Sequence, residues 1–194
     1  MYIAEYGSEN FKEEWLEFLN EDPVHPNIPT PTRVEGQRTV LVLIHEDIPH
    51  VIICVKLGDK LPQNMHYVLS NEPNMSNNVC HRYAIFYSIF KLKHSTLKGA
   101  GSIAIKMAKA YYKQNCIKRF YTLSPIPELT TVFKNVPSET AIIQYLLSGA
   151  GAVAKFHIGN GAEIHAIDFN ADNSPQRITE SWGIMVNYDY SDYQ

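Results

Sequence analysis

Two runs rich in β-branched residues, Thr39–Ile44 (TVLVLI) and Val51–Leu57 (VIICVKL), constrain this chain more than any other feature. Such side chains lose rotamer freedom in a helix and pack well on a pleated surface. The polar, proline-containing stretch His45–His50 separates the runs, so together they predict an antiparallel hairpin. Tyr83–Ile89 (YAIFYSI) is a third apolar run of strand length, predicted to lie centrally in a sheet. A helix is expected over Gly99–Asn115, with Ile103, Met107 and Ala110 marking one face. Arg119–Leu123 (RFYTL) then reads as a short strand, stopped by Ser124-Pro125-Ile126-Pro127, and completes a βαβ unit with YAIFYSI and the helix. Ser138 caps a second helix through Leu147, with Ile142, Ile143, Leu146 and Leu147 apolar, and Glu163–Phe169 and Gly183–Tyr190 are two further strands. The sum is α+β, a mixed and mostly antiparallel sheet flanked by helices.

The N-terminal part reads as a lead-in over residues 1–32, with the main domain over 33–194. Ser8 is a candidate N-cap for a helix carrying Phe11, Trp15, Phe18 and Leu19 at helical spacing. Asp22–Thr32 contains Pro23, Pro26, Pro29 and Pro31, which argues against regular structure there. Residues 58–80 are polar and Asn-rich, a long surface loop.

Charge excludes some functions. Seventeen Lys+Arg against 20 Asp+Glu leave a net charge of −3, with no electrostatic reason to expect nucleic acid or an acidic membrane as partner. No apolar run approaches the roughly 20 residues of a spanning helix. The opening MYIAEYGSENFKEEW carries acids where a signal peptide needs basic and then apolar residues, so a cytoplasmic location is expected. Cys54, Cys80 and Cys116 form no CxxC or Cys/His pair at zinc spacing, so neither a disulfide framework nor a structural metal is indicated. Cys54 and Cys116 read as buried, inert thiols.

Four segments could carry chemistry. Thr96-Leu97-Lys98-Gly99-Ala100-Gly101-Ser102 joins an apolar strand to a helix. Glycines there let the backbone approach a ligand, and the helix start offers free N–H groups to a pyrophosphate, although glycine often serves the turn alone. In Thr122-Leu123-Ser124-Pro125-Ile126-Pro127 a hydroxyl ends a strand on a stiff turn, placed either to meet substrate or to bond the turn itself. Lys155-Phe156-His157-Ile158-Gly159-Asn160-Gly161-Ala162 sets a lone histidine between apolar neighbours ahead of a Gly-Asn-Gly turn. Gly183–Tyr190 (GIMVNYDY) carries tyrosines that also suit an amphipathic core.

Together these segments, from about His45 to Tyr190, resemble the malonyl-CoA decarboxylase family: YAIFYSI, the glycine-bearing turn, LSPIP, FHIGNGA and RITESWGIMVNYDY occur in its order. The resemblance implies a Gcn5-related acetyltransferase-like fold that binds the acyl-CoA pyrophosphate on Thr96, Leu97, Lys98, Gly99, Ala100, Gly101 and Ser102. It places the family's active-site serine on Ser124 and its histidine on His157. The chain departs from the family at Thr96 (usually Gln), Glu128 (usually Gly) and Trp182 (usually Cys). It has only residues 128–155 between LSPIP and FHIGNGA, and space for a single helix before the sheet.

The reaction expected from this resemblance is decarboxylation of a malonyl thioester, on CoA or on a carrier protein, to the acetyl thioester. His157 would supply the proton, Ser124 would orient the substrate, and Tyr188 and Asn160 would add supporting hydrogen bonds. No cofactor is expected beyond the CoA or phosphopantetheine of the substrate, and no metal. Malonyl-CoA, acetyl-CoA and an acyl carrier protein are the expected partners. Acyl transfer to a carrier thiol or amine is the alternative activity, and non-catalytic acyl-CoA binding the third reading.

Overall fold

A computed structural model describes residues 1–71, 82–115 and 117–191. Cys80, Cys116 and much of the expected 58–80 loop lie outside the described residues. In chain order the elements are β1 (Tyr2–Glu5), a 3-10 helix (Glu13–Glu21), α1 (Thr30–Val34), β2 (Arg38–His45), β3 (Ile48–Gly58), α2 (Met65–Leu69) and β4 (Tyr83–Lys91). They continue with α3 (Ala100–Gln114), β5 (Arg119–Thr122), β6 (Ser124–Pro125), α4 (Leu129–Val132), α5 (Glu139–Leu147), α6 (Ala152–Gly159), β7 (Glu163–Asp168), α7 (Pro175–Ser181) and β8 (Met185–Asp189). The chain divides into two compact units, residues 1–60 with 71–118, and residues 61–70 with 119–194.

The first unit contains the predicted hairpin. β2 and β3 pair antiparallel from Arg38↔Lys56 to His45↔Ile48, and Glu46 and Asp47 turn between them with φ of 52° and 61°. β1 joins the outer edge of β2 and β4 the outer edge of β3, both antiparallel. Val40–Ile44 and Val51–Val55 are buried on both sheet faces, which is why they read as continuous rather than alternating apolar runs. Helix α3 buries Ala100, Ala104, Ile105, Ala108 and Tyr112. The expected face of Ile103, Met107 and Ala110 is therefore displaced: the buried stripe combines three alanines with Ile105 and Tyr112, while Ile103 and Met107 are half-buried and Ala110 is exposed.

Near the N-terminus three expectations change. β1 is a strand where none is expected. The helix is 3-10, begins at Glu13 with Lys12 before it, and buries Trp15 and Leu19, while Ser8 only closes a turn by accepting from Phe11 N at 3.0 Å. Edge-to-face contacts of Phe11 with Tyr6 and Trp15 hold this turn outside the helix. The proline segment ends in the single turn α1, where Pro31 occupies the helix start that tolerates it. There Arg33 is fully buried, 2.6 Å from Asp22 Oδ2. Cys54 lies beneath it as a free buried thiol, pushed up to about 11 by burial.

The second unit centres on β8. β5 and β6 pair along one edge of it (Tyr121↔Asp189, Ser124↔Val186, Pro125↔Met185), and β7 along the other, all antiparallel. Helix α5 is capped as expected by Ser138, which accepts from Ala141 N at 3.3 Å, and buries Ile142 and Leu146 while Leu147 stays exposed. Helices α2, α4, α6 and α7 are additions to the sequence reading. Asn64 starts α2 by accepting from Tyr67 N at 2.8 Å, and Ser174 with Pro175 starts α7.

Candidate active site

Strand register brings the candidate residues of the second unit together. Ser124 faces Val186 across the β6–β8 pair, and side chains two residues apart along a strand share a face. Tyr188 and Tyr190 therefore point to the same side as Ser124. Helix α6 covers that side with its last turn, which carries His157. The FHIGNGA segment is thus helical through Gly159, and its Gly-Asn-Gly run is the helix stop. Asn160 is the C-cap, and Gly161 takes a φ of +82°, the left-handed conformation such an exit needs.

Ser124 Oγ lies 3.0 Å from His157 Nε2 and 2.9 Å from Thr122 Oγ1. On the far side of the ring, His157 Nδ1 is 2.8 Å from Tyr190 OH. Tyr190 OH is also 3.5 Å from the His157 carbonyl oxygen, to which it can donate. The Tyr188 ring stacks on the imidazole at a centroid distance of 4.5 Å and an interplanar angle of 22°. Ser124 and His157 are each 5% exposed. Burial drives the His157 pKa down to about 3, so the ring is neutral at ordinary pH. Burial also raises the phenols of Tyr188 and Tyr190 well above their usual range.

Of the four residues singled out from sequence, Ser124, His157 and Tyr188 are in one cluster. Asn160 is not: its side chain donates to Phe156 O at 2.7 Å and finishes its own helix. Thr122 and Tyr190 complete the chain and were not among those four. Tyr190 is legible after the fact from its two-residue spacing to Tyr188 on a strand. The Tyr188 hydroxyl is buried with no hydrogen-bond partner among the described residues. On the opposite face of the β7–β8 pair, Asn187 Oδ1 and Asp168 Oδ2 are likewise buried without a partner among the described residues, although Asn187 Nδ2 donates to Pro62 O at 2.8 Å. Glu128, one of the departures noted above, accepts from Tyr145 OH at 2.9 Å and sits against Gly151, where a Cβ would collide with its carboxylate.

The glycine-bearing turn belongs to the first unit. Gly99 is the N-cap of α3 with a φ of +66°, Ala100 is buried, and Thr96, Lys98 and Gly99 are exposed, with Leu97, Gly101 and Ser102 half-buried. A Cβ on Gly99 would meet nothing within 4 Å, so glycine is required there by conformation rather than by space. Just before the turn, Ser95 Oγ is 2.8 Å from His50 Nδ1. Among the described residues no group of three or more His, Cys, Asp or Glu could hold a metal ion, and no single helix is long and apolar enough to cross a membrane.

Comparison with known proteins bears on both units. Residues 147–194 match the model of the malonyl-CoA decarboxylase C-terminal domain. The mitochondrial malonyl-CoA decarboxylase of Anser anser anser is 53% identical over 38 residues, 20% of this chain and 8% of that protein. The malonyl-CoA decarboxylase of Agrobacterium vitis is similar in structure with a TM-score of 0.78 at 21% identity, over 98% of this chain and 61% of that one. The GNAT-like decarboxylase GphF, solved in complex with isobutyryl-CoA, gives a TM-score of 0.67 at 14% identity over 98% of this chain and 99% of that one. The chain thus spans about three-fifths of the bacterial enzyme's length. The family resemblance read from the motifs recurs in the C-terminal segment, and the fold is the expected α+β, acetyltransferase-like one.

Proposed function

We propose that this chain decarboxylates a malonyl thioester to the acetyl thioester and CO2. The observation that carries the reading is the buried Ser124–His157 hydrogen bond, made by the two residues on which the family resemblance places the active site. His157 also lies inside the segment that matches the family model.

Loss of CO2 from a malonyl thioester leaves charge on the thioester oxygen, which acts as the electron sink, so the chemistry calls for no group beyond the substrate's own thioester. What the protein must add is hydrogen-bond donors to that oxygen, a dry place for the carboxylate, and a proton for C2. Ser124 and His157 are both donors when suitably ordered, and both are nearly closed to water. The neutral ring is not itself an acid. A malonyl carboxylate beside it raises its pKa, so the substrate's own charge would bring in the proton that C2 later takes. Thr96–Ser102 at the start of α3 would hold the pyrophosphate of CoA, or the phosphate of a carrier's phosphopantetheine, on free backbone N–H groups. A cytoplasmic location and an acyl carrier protein as partner are part of the same reading.

The test is to incubate the protein with malonyl-CoA and, separately, malonyl-carrier protein, and to follow the acetyl thioester by mass spectrometry. Product above the no-enzyme rate from either is expected, and none from both overturns the reading. Acetyl groups moved to an added thiol or amine without CO2 release would favour the acyltransferase instead.

A further inference from the structure

Ser124 and His157 are joined by their hydrogen bond and also by a second path, through a residue that the proposed chemistry does not use. From Ser124 the chain passes Pro125-Ile126-Pro127 to Glu128. Two prolines of fixed φ and an Ile126 only 1% exposed hold Glu128 at a set place relative to the serine. Glu128 starts α4, its carbonyl accepting from Thr131 N at 3.0 Å, while its side chain turns to two other helices. Oε1 accepts from Tyr145 OH of α5 at 2.9 Å. The same oxygen lies against Gly151, the N-cap of α6, where a Cβ would collide with it and lie 3.5 Å from Tyr145 OH. Gly151 has a φ of −77°, which any residue adopts, so glycine is there for space and not for conformation. Helix α6 has no side-chain cap and no acid in its first turn, and the Glu128 carboxylate supplies the negative charge that its positive end favours. His157 stands on the same helix, about 9 Å beyond Gly151 at the helical rise. The path is therefore a closed circuit: Ser124, the proline segment, Glu128, Gly151, α6, His157, and back to Ser124 through the 3.0 Å bond. Two contacts close it, and opening either one lets the other drift.

We infer that Glu128 is a positioning residue: its carboxylate is the stop on which α6 seats, and that seat sets the distance from His157 Nε2 to Ser124 Oγ. Glycine, usual in the family at this position, has no side chain to form such a seat, so the device belongs to this chain. A methyl group at 151 would drive the carboxylate away, and because the same oxygen holds Tyr145, the tie to α5 would be strained with it. The inference rests on the proposed role of the Ser124–His157 pair for its kinetic readout, but not for its structural one.

The full chain is compared with Glu128→Gln, Glu128→Ala, Gly151→Ala and the double variant Glu128→Ala/Gly151→Ala. Malonyl-CoA turnover gives kcat and KM. Nitrogen NMR of the histidine rings, with His157 assigned by its loss in His157→Gln, reports the Nε2 hydrogen bond without substrate. Glutamine keeps the shape and the Tyr145 bond, so Glu128→Gln should retain both kcat and the Nε2 resonance. Glu128→Ala and Gly151→Ala should each lower kcat about 10-fold or more per folded molecule, leave KM unchanged and move the Nε2 resonance. In the double variant no carboxylate is left to collide with, so the loss from Gly151→Ala should not add to that from Glu128→Ala. Losses that add, or an Nε2 resonance unmoved in Glu128→Ala, overturn the inference. If Gly151→Ala fails to fold, Glu128→Ala against Glu128→Gln still decides it. Wild-type turnover with an unmoved resonance in Glu128→Ala sinks this inference and leaves the decarboxylase reading standing; a moved resonance with no wild-type turnover does the reverse.

Discussion

The two units each bury a polar cluster, and the clusters are built on opposite principles. In the first unit Asp22 and Arg33 are both charged, fully buried and surrounded by partners. Asp22 Oδ2 takes Arg33 at 2.6 Å and the Ser88 hydroxyl at 2.9 Å, and Oδ1 takes Val24 N at 2.8 Å. The guanidinium also donates to the carbonyls of His25 and Ile28. In the second unit the cluster is neutral, and its members are four groups that can each be proton donor or acceptor. Three of the four buried side-chain atoms without a partner among the described residues are in this unit: Tyr188 OH, Asn187 Oδ1 and Asp168 Oδ2. A saturated network of fixed charges has one arrangement and pins the chain. A reversible chain of hydroxyls around one imidazole, beside the Tyr188 hydroxyl, has more than one, and can exchange a partner for a ligand.

Breaking each cluster should separate these roles. Asp22→Ala leaves the Arg33 charge buried and unpaired, so about 3–5 kcal/mol of stability should be lost in urea unfolding. Whatever protein remains folded should keep its turnover per folded molecule. His157→Ala should show the reverse pattern. Turnover of the malonyl thioester should fall about 100-fold or more, while the unfolding midpoint at neutral pH moves far less. A loss of stability in His157→Ala as large as that in Asp22→Ala would erase the distinction.

The distinction also has a pH signature. The folded pKa of His157, about 3, lies below its ordinary value of 6.5. The unfolded chain therefore binds the proton first, and stability should fall as pH drops from 6.5 toward 3, a slope that His157→Gln removes. Asp168 has the opposite sign. Burial raises it from 3.8 to about 6, so its neutral form suits the folded state, and stability is lost as pH rises through that interval. Asp168→Asn should thus leave stability near pH 3.5 unchanged and raise it at pH 7.5. For a partly exposed carboxyl, with solvent screening discounted, the gain is on the order of 1 kcal/mol. No difference between the two pH values would mean that the carboxylate finds a partner when it ionises.

What was legible in the sequence follows from how local each signal is. The β2–β3 hairpin is written in two adjacent β-branched runs, and Ser124 and His157 stand in short motifs with few alternatives. The Ser174-Pro175 start of α7 is equally local, yet the closing segment read as strands passes over it. Gly159, Asn160 and Gly161 signal a stop in the backbone; that they stop a helix rather than join strands depends on AVAKFHI packing through Ala154 and His157. The Asp22–Arg33 pair is not legible at all, because it needs the proline segment folded back on itself. Tyr190 lies between these cases: alternation marks its face, but only the β6–β8 register shows that Ser124 shares it.

The smallest effect tests the premise that unpartnered atoms mark the exchangeable cluster. Tyr188→Phe removes a hydroxyl that makes no bond among the described residues but is hydrated when the chain unfolds. Stability should therefore hold or rise, by at most about 1 kcal/mol, because no bond is lost and a buried unsatisfied group is removed. The stacked ring against His157 stays in place, so any accompanying fall in turnover would belong to the hydroxyl meeting substrate rather than to a shifted imidazole. A clear drop in stability would instead show that the hydroxyl has a partner in solution. In that case Tyr188 would belong with Asp22 and Arg33 among the groups that hold the fold, and the line between the two clusters would have to be drawn at Tyr190.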